Sequence, residues 1–151
     1  MHTKNAKLLL ALLFFSGCAY SNADVKVLLT QVDGEHLSVT VQNVTDSDYD
    51  FEYNFCRSSV GSLSFELKDS DGNVQPVRAF LNDGCALDEK FKIRAYGAIS
   101  REFNIDDIVA LYENPKGVIS FKALFCGHTR YGKKTDCISS NTIDVDVSNE
   151  K

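Results

Sequence analysis

An antiparallel β-sandwich is the fold class this sequence predicts, and three observations predict it. Apolar and polar residues alternate with a period of two through most segments of the chain, as they do along strands with one buried and one wet face. Turn chemistry recurs between those segments, at Asp33-Gly34, from Asn43 to Asp48, and from Asp69 to Asn73. Only one stretch, just before the penultimate strand, carries a helical pattern. Together they give seven to eight short strands and one short helical turn, an all-β chain. At 151 residues with 44% apolar composition there is material for one core and little for a second. The expected domain spans residues 24–148.

What precedes it reads as an export signal of residues 1–17 or 1–23. Lys4 and Lys7 lead into the apolar run Leu8 to Phe15, which has the length of a signal core and is too short to span a bilayer. Phe14-Phe15-Ser16-Gly17-Cys18 resembles a bacterial lipobox, in which Cys18 becomes a lipidated first residue. That resemblance, with Ala19 rather than an aspartate after the cysteine, implies delivery to the outer membrane. Ser21-Asn22-Ala23 offers instead the small residues needed for release of a soluble protein, with Cys18 discarded. Cys18 follows the apolar run at once, which favours lipidation. The expected location is the cell envelope, as an outer-membrane lipoprotein facing the periplasm or as a soluble periplasmic protein.

The strands are then taken in order. Val25 to Val32 opens the sheet, and Asp33-Gly34 predicts a two-residue hairpin turn, because glycine tolerates the positive φ such turns demand. His36 to Gln42 returns with Leu37, Val39 and Val41 on one face. Asn43-Val44-Thr45 has the form of a glycosylation sequon but reads as turn chemistry. Tyr49 to Phe55 alternates aromatic with polar residues throughout, and with no Trp in the chain these rings are expected to supply core volume rather than an exposed binding platform. Leu63, Phe65 and Leu67 continue the alternation. The run Asp69-Ser70-Asp71-Gly72-Asn73 evokes a calcium loop, but its glycine is fourth rather than sixth and Phe80 stands where a bidentate glutamate belongs, so it reads as a hairpin turn.

Val74 to Phe80 is expected as a short edge strand containing Pro76, and Leu81 to Glu89 as an irregular connection around Cys85. Phe91 to Ala95 and Ser100 to Ile105 are further strands. Asn104 or Asp106 could cap a helical turn that turns Ile105, Ile108 and Leu111 or Tyr112 inward until Asn114-Pro115 stops it. Val118 to Cys126 puts Ile119, Phe121, Ala123 and Phe125 on one face. A loop is expected from Gly127 to Asn141, and Thr142 to Val147 forms the return strand.

Setting Cys18 aside, Cys56, Cys85, Cys126 and Cys137 are an even number suited to two disulfides in an oxidising compartment. Of three connectivities we expect Cys126 with Cys137, which face each other across a hairpin, and by elimination Cys56 with Cys85. The absence of any CxxC spacing, with only His36 and His128 left after processing, points away from zinc. No cofactor and no metal are expected.

Most of the mature chain resembles the bacterial immunoglobulin-like domains of the BsuPI type. The resemblance lies in Leu37 to Asp46, where a strand ends in Asn and a polar turn; in Phe65 to Val74, a hairpin bearing Asp-x-x-Gly; and in Gly117 to Ala123. It implies an immunoglobulin-like sandwich. The chain departs from that pattern in its four cysteines and in the loop Gly127 to Asp136, so the proteinase inhibition associated with the family's namesake does not transfer directly.

Composition excludes one class of partner. The net charge is −5, and removing residues 1–17 leaves 14 basic against 21 acidic residues, a net −7. A sequence-independent nucleic-acid binder needs a basic surface. Catalysis is not expected either, for there is no Gly-x-Ser-x-Gly elbow and His36 and His128 have no evident partners. What stands out is a cluster of cations in an acidic molecule. His128, Arg130, Tyr131, Lys133 and Lys134 fall within the ten residues between Cys126 and Cys137. A clamped loop loses less entropy on binding, and Arg and Tyr are frequent interface anchors. The expected partner is another envelope protein met through this loop, with the membrane reached by a lipid anchor if Cys18 is processed. Two functions fit: a non-catalytic interaction module, or an inhibitor or immunity protein that blocks an envelope hydrolase.

Overall fold

The computed structural model describes residues 24–58, 60–79, 90–128 and 134–148, and of His128, Lys134 and Thr135 the backbone alone. Eight strands and one short helix follow the order β1 (Val25–Gln31), β2 (His36–Asn43), β3 (Tyr49–Phe51), β4 (Leu63–Lys68), β5 (Phe91–Ile93), β6 (Ala98–Asn104), α1 (Ile105–Val109), β7 (Val118–His128) and β8 (Lys134–Asp146). Every pairing is antiparallel. One sheet has the order β1-β2-β6, a second the order β4-β7-β8, and β3 with β5 forms a small third. The arrangement is sandwich-like and mostly β, as the alternation predicts.

The inward faces are those the period-two pattern selects. Leu37, Val39 and Val41 of β2 oppose Leu63, Phe65 and Leu67 of β4 and Ile119, Phe121, Ala123 and Phe125 of β7 in one buried cluster. Such residues are what makes the sheets associate, at roughly 1.5–3 kcal/mol for each large side chain removed from water. Phe51, Phe55 and Phe125 meet at its centre, with ring centroids 5.2 Å apart for Phe51 and Phe125 and 5.1 Å for Phe55 and Phe125. The aromatic row is therefore core, not platform.

Several boundaries differ from expectation, two because a polar side chain takes over backbone hydrogen bonds and one because a proline has no N–H to donate. At Asp33-Gly34 the turn is longer than two residues. Asp33 Oδ1 accepts from the N–H groups of Glu35 and His36, Val32 N–H donates to the His36 carbonyl, and Gly34 does not have positive φ. The strand expected from Tyr49 to Phe55 ends at Phe51. Asn54 Oδ1 accepts from Cys56 N–H and Ser62 N–H, folding the chain back so that Leu63 N–H meets the Cys56 carbonyl. Gly61 sits inside this fold-back, where an added Cβ would lie 2.1 Å from the Cys56 carbonyl oxygen. The strand expected from Val74 to Phe80 is reduced to two isolated bridges, Lys68 to Val74 and Val77 to Tyr112, around Pro76, which has no N–H to give a ladder. Phe80 and the segment 81–89 lie outside the described residues.

Other local expectations are met. Asn104 caps α1, its side chain accepting from the N–H groups of Asp106 and Asp107, while Ile105 and Ile108 face inward. In the Asp69 turn, Oδ1 accepts from Asp71 and Asn73 N–H, and Gly72 takes φ 83°. Those bonds hold the Asp69 carboxyl below its usual range. Asn43 is fully buried (0% exposed) at the end of β2. Its amide donates to the carbonyls of Ser47, Ile93 and Arg94, and its oxygen accepts from Thr45, which fastens the β2 turn to the end of β5.

The two larger sheets are joined along one side by a bulge. Lys122 pairs with Thr142 but Leu124 pairs with Ser139, so Ser140 and Asn141 together oppose Ala123. Ser140 Oγ accepts from Ala123 N–H. The extra residue frees the Asn141 side chain to reach across to β1, where Nδ2 donates to the Leu29 carbonyl and Oδ1 accepts from Leu29 N–H, both at 2.9 Å. The carboxamide thus acts as one rung of a ladder between β8 and β1, strands that lie side by side. Replacing Asn141→Ala leaves both backbone groups of Leu29, a residue 1% exposed, without this partner. We expect a loss of about 2–4 kcal/mol in urea unfolding, since each buried unmet group costs about 1–3 kcal/mol. A loss below about 1 kcal/mol would show that the carboxamide rung is dispensable.

Candidate functional site

The cationic segment singled out from sequence belongs to a hairpin rather than to a long loop. β7 runs on to His128 and β8 starts at Lys134, so Gly127, His128 and the residues from Lys134 to Asn141, expected as loop, lie in strands. The reason is that β8 absorbs two extra residues. One is the bulge opposite Ala123, and the second follows because Phe125 pairs with Ile138 whereas Gly127 pairs with Thr135, so Asp136 and Cys137 together oppose Cys126. Asp136 adopts φ 46° there. A run rich in Ser, Thr and Asn without strict alternation hid a bulged strand.

The end of this hairpin is held from three sides. Cys126 and Cys137 are disulfide-bonded, with S–S 2.03 Å and Cα atoms 4.1 Å apart, so the bridge spans the ladder itself and does not close the mouth of an open loop. Tyr53 hydroxyl donates to the Asp136 carbonyl at 2.9 Å. Partial burial, and next the Asp136 charge, push the Tyr53 phenol up. Cys126 N–H donates to the Ser62 carbonyl at 2.9 Å, just past the last β4 pairing, Leu63 with Phe125. Beyond that point Gly127 and His128 pair with Thr135 and Lys134. The disulfide contributes about 2–4 kcal/mol by restricting the unfolded chain.

The sequence-predicted contact residues are placed only in part. His128 and Lys134 face each other as the last described backbone pair. Arg130, Tyr131 and Lys133 lie outside the described residues, as do Cys18 and Cys85. The bridge Cys126 to Cys137 has both cysteines among the described residues, and Cys56 is also disulfide-bonded. Among the described residues no three His, Cys, Asp or Glu side chains gather as metal ligands, and no helix is long and apolar enough to cross a membrane.

A second concave feature was not anticipated. A cleft of about 260 Å³ lies at the free edge of β4, between that strand and residues 74–79, with α1 beneath it. Its floor is Leu63, Phe65, Ile108 and Leu111, and Tyr112 forms one wall. The signal was present in Val74 and Val77, apolar residues in a segment that makes no strand; both are well exposed, at 58% and 48%. Tyr112 is buried, and its hydroxyl donates to the Phe65 carbonyl, capping an outward-facing group of an edge strand.

Burial, aided by the charge of Glu66 and opposed by that of Arg57, pushes the Tyr112 phenol up to about 12. Because its folded pKa lies above the ordinary tyrosine value of about 10, the neutral phenol's contribution is fully present below pH 10 and is lost as the pH rises towards 12. In a spectrophotometric titration Tyr112→Phe should abolish the last phenol to ionise and flatten the fall of stability between those limits. An unchanged alkaline limb would show that another group governs it.

No protein-family model matches the chain, and no curated protein matches it.

Proposed function

We propose that this is a non-catalytic, exported cell-envelope module, an immunoglobulin-like sandwich of the BsuPI type, that binds another protein through the end of its β7–β8 hairpin. The observation that carries the reading is the bracing of that end by the Cys126–Cys137 bridge, the Tyr53 hydrogen bond and the Ser62 contact. The sequence between the braced residues, with His128, Arg130, Tyr131, Lys133 and Lys134, concentrates cations in an otherwise acidic molecule, and bracing of the flanking strands lowers the entropy cost of binding there. The same preorganisation favours a second reading, in which the hairpin blocks the cleft of an envelope hydrolase as an inhibitor or immunity protein. Co-purification of a hydrolase at one-to-one stoichiometry distinguishes the two.

The partner surface in this proposal is acidic. Reversing two charges, Arg130→Glu with Lys133→Glu, should weaken capture of the envelope partner at least tenfold and steepen no other property of the fold. Unchanged binding would overturn the hairpin as the contact.

Export, the lipid at Cys18 and a second bridge between Cys56 and Cys85 belong to the same proposal, supported by the lipobox-like segment and by the oxidised state of Cys56. Intact mass of the protein from its native envelope, with and without reduction, tests them together. The expected species begins at Cys18, carries acyl chains and gains four hydrogens on reduction. A species beginning at Asp24 without lipid would overturn the anchor and favour a diffusible inhibitor.

A further inference from the structure

We propose that the end of the sandwich at which Asp24 enters rests on a lipid bilayer and touches it through Tyr96 and Val44, an inference that rests on the acylation of Cys18 in the preceding reading. The turn from Arg94 to Gly97 carries the first observation. It is closed by Gly97 N–H donating to the Arg94 carbonyl at 2.8 Å, and Tyr96, its third residue, has φ 53°. That conformation favours glycine or asparagine, because a Cβ is strained there. Here it holds a tyrosine that is 69% exposed. Among the described residues none hydrogen-bonds its hydroxyl or makes a ring contact with it. The turn thus bears a backbone cost and leaves an aromatic ring in water, and no internal contact offsets either, which points to a role outside the fold.

The second observation is where that ring sits. Tyr96 N–H donates to the Thr45 carbonyl, and the adjoining Val44 N–H donates to the Asp24 carbonyl, both at 3.0 Å. Val44 is itself 43% exposed. Asn43 binds the two turns together, its N–H donating to the Gly97 carbonyl and its side-chain amide to those of Ile93 and Arg94. The tyrosine, the valine and the point of chain entry therefore share one end of the molecule. Six residues of sequence lead from Cys18 to Asp24, a reach of at most about 22 Å. An acylated Cys18 keeps this end within that distance of the lipid, and the tether raises the effective concentration of bilayer beside it. A body held in this way needs only a weak further contact to be oriented. Tyrosine suits that contact, since its apolar ring and polar tip settle at the headgroup level of a bilayer. Charge does not choose the orientation, for exposed Asp24, Asp46 and Asp48 are matched at this end by Lys26, Lys92 and Arg94, with Lys92 paired to Asp48 at 3.6 Å.

The chain has no tryptophan, so Tyr96→Trp introduces a single indole. The variant is purified from its native envelope, its acylation is read by intact mass, and it is reconstituted in vesicles of phosphatidylethanolamine and phosphatidylcholine, with and without bromine near the top of the acyl chains. Its emission should fall at least twofold in the brominated vesicles and lie to the blue of its value in detergent-free buffer. Val32→Trp, at a position 51% exposed just past the far end of β1, should show no quenching. Val44→Trp takes the place of Tyr96→Trp if the latter lowers the thermal unfolding midpoint. An acylated protein whose indole at this end is not quenched would overturn the proposal, and so would equal quenching at residue 32; in both cases the anchor stands. A mass without acyl chains removes the tether and overturns the proposal together with the anchor.

Discussion

At several places among the described residues where the chain leaves a regular ladder, a backbone N–H or C=O would be stranded in an apolar interior, and a short polar side chain meets it. The buried polar residues among those described are Asn43, Asn54 and Ser140, and each serves this purpose. Asn43 closes the turn after β2 onto β5, Asn54 folds the chain back into β4, and Ser140 fills the bulge of β8. Asn141 extends the same principle between sheets by imitating a backbone rung against Leu29. A buried group without a partner costs about as much as a good hydrophobic contact contributes. The apolar core therefore sets how strongly the sheets associate, while these amides and hydroxyls set where the strands bend and which edges meet.

The hairpin inherits its rigidity from that arrangement. Two bulges take up the difference in length between β7 and β8, and the second of them brings Cys126 opposite Asp136 and Cys137. A disulfide at that position ties the two strands to each other, and a tyrosine reaching from the β3 side holds the ladder to the body of the protein. The β4 edge is treated differently. There Tyr112 and Gln75 occupy outward-facing carbonyls, so the edge is blunted against strand pairing while an apolar hollow is left beside it.

The sequence by itself determined the β class, the inward faces of β2, β4 and β7, the aromatic core, a capped helical turn starting at Asn104 or Asp106, and the pairing of Cys126 with Cys137. Each rests on a local rule: side chains alternate along a strand, a cap lies one residue before its helix, and two cysteines flanking a hairpin segment face each other. Tertiary structure alone decided the length of the Asp33 turn, the early end of β3, the loss of a strand at Val74 and the continuation of β7 and β8 past Cys126 and Cys137. In each case a hydrogen bond to a side chain, from Asp33, Asn54 or Ser140, or the N–H that Pro76 lacks, outweighed the alternation that suggested otherwise. The cleft belongs to the same group, because Leu63, Phe65, Val77 and Leu111 share no periodicity and meet only when α1 packs beneath the edge of β4. Alternation records which way a side chain points along one strand; which polar atom another segment will bring to it is not written in any single stretch of chain.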